Sequence, residues 1–285
     1  MLNQISILGT GLLGASIGMA VKKYNVAKSV KIWARRVETL SVCQKLEWCD
    51  AVEENIEKSV TGSELVIICT PVNIIPEIIS KISPFLEQDS IVTDVGSTKT
   101  EICEKGTETL RVSKGILIGS HPMAGSEHSG MDYAKDDLLI GKPCIVTPLP
   151  GISQECVEKV SKFWTSLHMT VHQYSPQEHD RAVAYYSHFP HLLASCLCKQ
   201  LEKQPENWKE ISGNGFKDTT RIAMGDPAIW EPIFRLNKDN LLDAINDFEK
   251  TMEKIKAFIN KEEKNEIVSF LKSGSEFRKK SKNER

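Results

Sequence analysis

No uninterrupted apolar run of about 20 residues, the length a membrane-spanning helix requires, occurs in this 285-residue chain. The nearest approach is ISILGTGLLGASIGMAV, residues 5 to 21, which has no charged side chain. Ser6, Gly9, Thr10, Gly11, Gly14, Ser16 and Gly18 interrupt it. The preceding MLNQ carries no basic side chain, so a secretory leader is not expected either. An excess of one charge is also missing: 36 Lys and Arg face 38 Asp and Glu, a formal net charge of −2. No global field therefore favours nucleic acid or an anionic membrane, and an anionic small substrate has to be held by a few local cations. The eight cysteines include no C-x-x-C pair, and neither they nor the histidines show metal-ligand spacing. Most sit singly in apolar contexts such as VIIC and KPCIV, as buried thiols of a reducing cytoplasm do. No metal, no disulfide framework and a cytoplasmic location are the expectations. There is no internal repeat and no low-complexity tract.

What is present is the composition of an ordinary globular protein, 40% hydrophobic and 26% charged. Short β-branched runs recur at ISIL (5–8), SVKIW (29–33), LVIIC (65–69), SIVTDV (90–95), GILIG (115–119) and PCIVTP (143–148). Gly, Pro, Asp or Ser bound them, and amphipathic stretches such as VNIIPEIISKISPFL (72–86) separate them. The alternation predicts βαβ units in a doubly wound parallel α/β sheet. Around 165–176 strand signals give way to helical spacing, clearest in Leu242, Ile245, Phe248, Met252, Ile255 and Ile259. The expected division is a nucleotide-binding domain over 1–170, an all-α domain over 171–272 and a polar tail, 273–285, frayed or disordered. The chain ends soon after the last amphipathic helix, so no appended regulatory domain is expected. Long apolar stripes on helices predict a homodimer.

The opening stretch splits into a strand, ISIL, and a helix, LLGASIGMAV, joined by a turn. Gly9, Gly11 and Gly14 then form G-x-G-x-x-G between them, with Leu13 inside the motif. Gly9 permits the turn, Gly11 lets backbone approach a pyrophosphate, and Gly14 lets helix and strand pack closely. The motif is weak alone, but the strand before it and the helix after it point to dinucleotide binding. The second strand ends KIWARR, where an NAD-preferring fold usually has an acidic residue for the ribose 2′-hydroxyl. Arg35 and Arg36 favour NADP, with NAD as the alternative. Thr70, in CTP at the end of a later strand, is a further candidate cofactor contact.

SHPMAGSEHSG (120–130) follows a strand, which places His121 at a sheet's carboxyl edge facing a bound nicotinamide. An imidazole can take a hydroxyl proton at neutral pH while hydride leaves the same carbon. TDVGSTK ends the preceding strand and brings Ser97 near His121, for a hydrogen bond to it or to the substrate oxygen. In AVAYYSHFPHLLASCL, His188 and His191 share a face if the stretch is helical, and Pro190 bends it. His191 is favoured over His188 as the substrate contact. His128, His168, His172 and His179 are taken as ordinary surface or packing residues. Lys217 and Arg221, four apart, share a face if helical and can supply cations for carboxylates.

GTGLLGASI, DVGSTK, SHPMAGSEHSG, SHFPH, GFKDTTRIA and DPAIW, taken together, resemble the prephenate dehydrogenase family, which includes the arogenate dehydrogenases. The resemblance runs over most of the chain. It implies a Rossmann domain followed by a helical dimerisation domain, and NAD(P)-dependent oxidative decarboxylation of prephenate to 4-hydroxyphenylpyruvate in tyrosine biosynthesis. It implies that His121 accepts the ring-hydroxyl proton, with Ser97 in support, and that Glu127 belongs to a polar network at the pocket entrance. His191 and Arg221 would contact substrate carboxylate, and Lys217 and Trp230 would approach the partner subunit's site. WARR departs from the acidic residue of NAD-preferring members. Arogenate, or both cyclohexadienyl acids, remain alternative substrates. A β-hydroxyacid dehydrogenase, which relies on a lysine base, and a non-catalytic NADP-binding sensor are the remote alternatives.

Overall fold

The computed structural model describes residues 1–125, 128 and 130–283. The apolar runs of the first half form β1 (Leu2–Leu8), β2 (Ala27–Trp33), β3 (Ala51–Glu53), β4 (Leu65–Ile68), β5 (Ile91–Asp94) and β6 (Ile116–Leu117). They pair in parallel in the order β3-β2-β1-β4-β5-β6, with helices in the connections. This is the expected doubly wound sheet, and its order reverses between β1 and β4. Alternate residues feed two hydrophobic cores, one through Ile5, Ile7 and Ile67, the other through Leu8, Val66 and Ile68. Burial on both faces is why these strands read as continuous apolar runs.

The sheet differs from expectation at its edges. β3, only three residues long, carries no hydrophobic run to announce it. GILIG does not form one strand: β6 ends at Leu117, and β7 (Gly119–Pro122) leaves for a second sheet. There it pairs antiparallel with β8 (Pro143–Thr147), which pairs in parallel with β9 (Thr170–Gln173). PCIVTP therefore lies outside the six-stranded sheet. Side chains, not a backbone ladder, tether β7 to the end of β5. Thr93 and Ser120 share a 2.8 Å hydroxyl–hydroxyl bond, and the Ser120 amide donates to Asp94 Oδ1 at 3.2 Å.

By compactness the chain divides into Met1–Lys238 and Asp239–Arg285. Within the first unit, Trp230, Ile233, Phe234 and Leu236 of the helix Pro227–Leu236 pack on the second core, so these later helices share burial with the sheet. The apolar stripe from Leu242 to Ile259 lies on the helix Lys238–Asn260. The polar tail is not frayed where it is described: Lys264–Asn283 is one helix, aided by a Lys272–Glu276 pair at i,i+4. Residues 273–280 are exposed, so this part of the tail buries nothing and yet is helical. All eight cysteines are free. Among the described residues no helix is long and apolar enough to cross a membrane.

Candidate active site

β1, β4 and β5 run in register, so Leu8, Ile68 and Asp94 lie side by side at the carboxyl edge. Two strand spacings, roughly 10 Å, separate the first and last of these strands. Immediately beyond Leu8, Gly9 has φ +105°, and a Cβ there would lie 2.7 Å from the Cys69 carbonyl oxygen. A Cβ on Gly14 would lie 2.0 Å from the Gly9 carbonyl oxygen, so the helix Leu12–Lys23 sits directly on the turn. Among the described residues nothing lies within 4 Å of the Cβ position of Gly11, which leaves space over the helix N-terminus. That N-terminus has no side-chain cap and no acidic residue in its first turn, and Leu13 sits within it. Uncapped amides under open space suit a pyrophosphate. Thr70 Oγ1 is buried at this edge without a hydrogen-bond partner among the described residues, which fits a contact completed by a dinucleotide. Arg35 and Arg36 are exposed directly after β2, and among the described residues neither forms an ion pair.

His121 lies on β7, buried, and its Nδ1 is 2.8 Å from Nε2 of His179. His179 Nδ1 in turn lies 2.8 Å from Asp180 Oδ1. The Asp180 carboxylate also accepts the backbone amides of Lys99, at 2.7 Å, and Thr100, at 2.9 Å, at the start of the helix Thr100–Leu110. The buried Lys99 ammonium pairs with Asp94 and donates to the Ser120 carbonyl at 2.9 Å. Burial first, then His179, Lys99 and His188, hold His121 well below the usual imidazole range, so it is neutral at pH 7. Ser97 is half-buried, and its backbone faces the ring of His188 without completing a well-formed bond to Nε2. Among the described residues it is His179, not Ser97, that bonds His121.

His179, His188 and His191 come from one continuous helical run. The helix Pro176–Val183 begins at a Ser175–Glu178 capping box. It widens into a π turn at Ala184–His188 and continues as Phe189–Leu201. The wide turn absorbs Pro190, whose ring would clash in a regular helix interior. His188 and His191 are both buried, and His191 stacks on Trp230 with centroids 3.6 Å apart. Trp230, expected to approach the partner's site, thus rests on a histidine of its own chain. Gly225 permits this, because a Cβ there would meet Trp230 at 2.5 Å and His191 at 2.7 Å. Lys217 and Arg221 line one cleft of about 800 Å³ with Ser195 and Phe216. The cleft over His191 and Trp230 also includes Ser195 and Ala223, so the cationic and aromatic clefts adjoin. His121 lines neither, and His188 links it to the His191–Trp230 stack. Glu127 lies outside the described residues. No metal-holding cluster occurs among the described residues.

Residues 17–173 match the family model described as prephenate dehydrogenase, nucleotide-binding domain, and residues 175–273 match that of the prephenate dehydrogenase dimerization domain. The chain belongs to the prephenate dehydrogenase family. The prephenate dehydrogenase of Bacillus subtilis is 30% identical over 98% of this chain and 76% of its own length. The cyclohexadienyl dehydrogenase of Zymomonas mobilis is 26% identical over 96% of this chain and 94% of its own. A crystal structure of prephenate dehydrogenase from A. aeolicus, in complex with hydroxyphenyl propionate and NAD+, superposes with a TM-score of 0.91 at 30% identity and covers 98% of both chains. Membership makes the chain an oxidoreductase and removes the β-hydroxyacid dehydrogenase and sensor alternatives.

Two residues of the candidate site escape the sequence reading. His179 is taken there as a packing residue and Asp180 is not singled out, yet both are buried, His179 against His121 and Asp180 against His179. A signal existed. Pro176, His179, Asp180 and Val183 form an i, i+3, i+4, i+7 buried face, and a polar pair occupies positions that packing alone would fill with apolar residues.

Four neutral histidines also couple stability to pH. Burial first, then His179, push His188 down to about 4, and burial likewise lowers His121, His179 and His191. Below an unfolded-state value near 6.5 the unfolded chain binds protons that the folded chain refuses, so stability falls as pH drops. Between pH 6.5 and about 4, at about 1.4 kcal/mol per pH unit, His188 alone makes this loss about 3 kcal/mol. Calorimetric Tm values across that window are expected to decline more steeply in the wild type than in His188→Leu. Equal slopes would remove His188 from the account.

Proposed function

We propose that the chain catalyses oxidative decarboxylation of prephenate to 4-hydroxyphenylpyruvate with NADP as the preferred oxidant, acting as a homodimer. The observation that carries this reading is a neutral, buried imidazole, His121, behind the carboxyl edge on which the Gly9–Gly11–Gly14 turn opens. The nicotinamide cofactor supplies a two-electron acceptor for the hydride on the ring carbon that bears the hydroxyl. His121 takes the hydroxyl proton as that carbon becomes a carbonyl. The ring carboxylate then leaves as CO₂, its bonding electrons restore aromaticity, and the phenolate oxygen recovers a proton. Atoms and charge balance without a metal. Arg221 and Lys217 supply the charge for the substrate carboxylates, because the neighbouring His191 is shifted towards its neutral form. Trp230 and Phe234 give the ring an apolar wall.

Arg35 and Arg36 support NADP: both stand exposed where an acidic residue would face a 2′-hydroxyl. The match to a dimerization domain supports the homodimer, as do exposed Leu242, Met252, Ile259, Val268, Leu271 and Phe277 on the last two helices. Reduced-nicotinamide absorbance with prephenate or arogenate, each with NAD or NADP, tests the reading. Turnover is expected with prephenate and NADP, and an Arg35→Ala, Arg36→Ala double variant should lose about 10-fold or more of its NADP over NAD preference, the worth of one charge-assisted bond. Turnover of arogenate alone, or an unchanged cofactor ratio, would overturn the corresponding part.

A further inference from the structure

We propose that His179 and Asp180 are positioning residues that fix the ring tautomer of His121, keeping its proton on Nδ1 and its Nε2 lone pair free for the substrate hydroxyl. This rests on His121 being the base of the reaction proposed above.

The assignment follows proton by proton from an acceptor that cannot donate. Asp180 takes the Lys99 and Thr100 amides as well as His179, so each of its two oxygens already accepts a backbone amide. Burial raises its pKa, but the bonds from His179 and Thr100 outweigh that and leave it lowered and ionised. His179 Nδ1 must therefore carry the proton it shares with Asp180. Burial keeps His179 neutral, so its Nε2 is a bare acceptor. The 2.8 Å contact to His121 is then a bond donated by His121 Nδ1–H. A neutral His121 protonated at Nδ1 has an unprotonated Nε2. An isolated imidazole prefers the opposite tautomer, so the pair overrides an intrinsic preference. When Nε2 takes the substrate proton, the new imidazolium stays bonded through Nδ1–H to His179, backed by the Asp180 carboxylate. No proton needs to move to Asp180. Opposing charge comes from the Lys99 ammonium, which Asp94 offsets.

A purely structural account explains only half of this. Asp180 satisfies amides at the start of Thr100–Leu110, and that role needs no histidine. His179 adds nothing to that helix end, and it is fully buried with both ring nitrogens engaged between Asp180 and His121.

The test combines ¹⁵N NMR of histidine-labelled full-length protein with steady-state kinetics. The His121 resonances are identified by their loss in His121→Asn. The wild type is expected to show His121 protonated at Nδ1. His179→Phe should revert to the Nε2–H form and lower kcat by up to about 10⁴-fold, as a wrong tautomer does elsewhere, with KM changed by less than about threefold. His179→Gln presents a carbonyl to the His121 Nδ1–H and should regain about tenfold or more of that loss. A wild-type His121 protonated at Nε2 would overturn the proposal, and so would a folded His179→Phe with wild-type kcat. Should His179→Phe not fold, the wild-type tautomer and the glutamine variant decide. Failure of the underlying reading looks different: His121→Asn would itself keep its turnover.

Discussion

His121→Asn is expected to lower kcat by about 10³-fold or more, while dinucleotide affinity stays within about twofold. Removing a general base costs about 10² to 10⁴ in rate, and the upper part of that range applies because, among the described residues, the groups nearest His121 are otherwise engaged. Lys99 is committed to Asp94 and the Ser120 carbonyl. The nearest imidazoles have other engagements: His179 is held by Asp180 and His121, and His188 shares Nδ1 with Asn237. Asparagine keeps a polar group of similar reach that can still bond to His179, so β7 should hold its place. The substitution removes the lone pair, not the proposed cofactor cradle at the ends of β1 and β4 and the start of the helix Leu12–Lys23. The pH profile adds a second readout. Because burial, His179, Lys99 and His188 all hold His121 below its usual range, the acid limb of kcat/KM should fall on the acid side of 6.5. Stopped-flow and steady-state rates with prephenate, beside a dinucleotide titration, check both. A variant retaining a tenth of wild-type kcat would remove His121 from the chemistry.

The nucleotide half of the site was legible because its chemistry is local. Gly9, Gly11 and Gly14 lie within six residues, between a strand and a helix that each declare themselves, and no distant residue is needed to read them. The half proposed to handle the proton is assembled over 86 residues, from Asp94 to Asp180, and no short window of sequence contains it. His121 could be placed because a strand precedes it. Its true strand, β7, belongs to a second sheet, since GILIG changes partners at Ile118, a decision made by Thr93 and Asp94 on another element. His179 and Asp180 were hidden by a different cause. Burial of a polar pair is invisible until its partners are known, and the donors to Asp180 are backbone amides 80 and 81 residues away. The tail misled in the opposite sense. Polarity forecasts exposure, and residues 273–280 are exposed, but Lys and Glu are good helix formers and need no core to extend a helix already begun.

Gly14→Ala is expected to damage both fold and cofactor binding, whereas Gly11→Ala should damage only the second. At position 14 the added carbon would lie 2.0 Å from the Gly9 carbonyl oxygen, far inside contact, and 3.2 Å from Cys69 Cβ. The obstruction is backbone, which cannot swing aside as a flexible side chain can. The helix Leu12–Lys23 must therefore withdraw from β1, at an overpacking cost of about 1–3 kcal/mol or more. Withdrawal also carries off the first-turn amides that would face the pyrophosphate. Two charge-assisted bonds at about 1.5–3 kcal/mol each amount to about 10²-fold or more in dissociation constant. At position 11 the protein offers no obstacle within 4 Å, so the same methyl fits the free chain and intrudes only on the space left for the anion. Its Tm should match the wild type within about 2 °C, since the stability change at such a surface position is within about 0.5 kcal/mol, while dinucleotide affinity falls by about 10-fold or more. Thermal melts and fluorescence titrations with NADP separate the two effects. If Gly14→Ala bound dinucleotide as the wild type does, the close seat of helix on turn would not be what aims those amides; if Gly11→Ala did so, the open space would not be the pyrophosphate's.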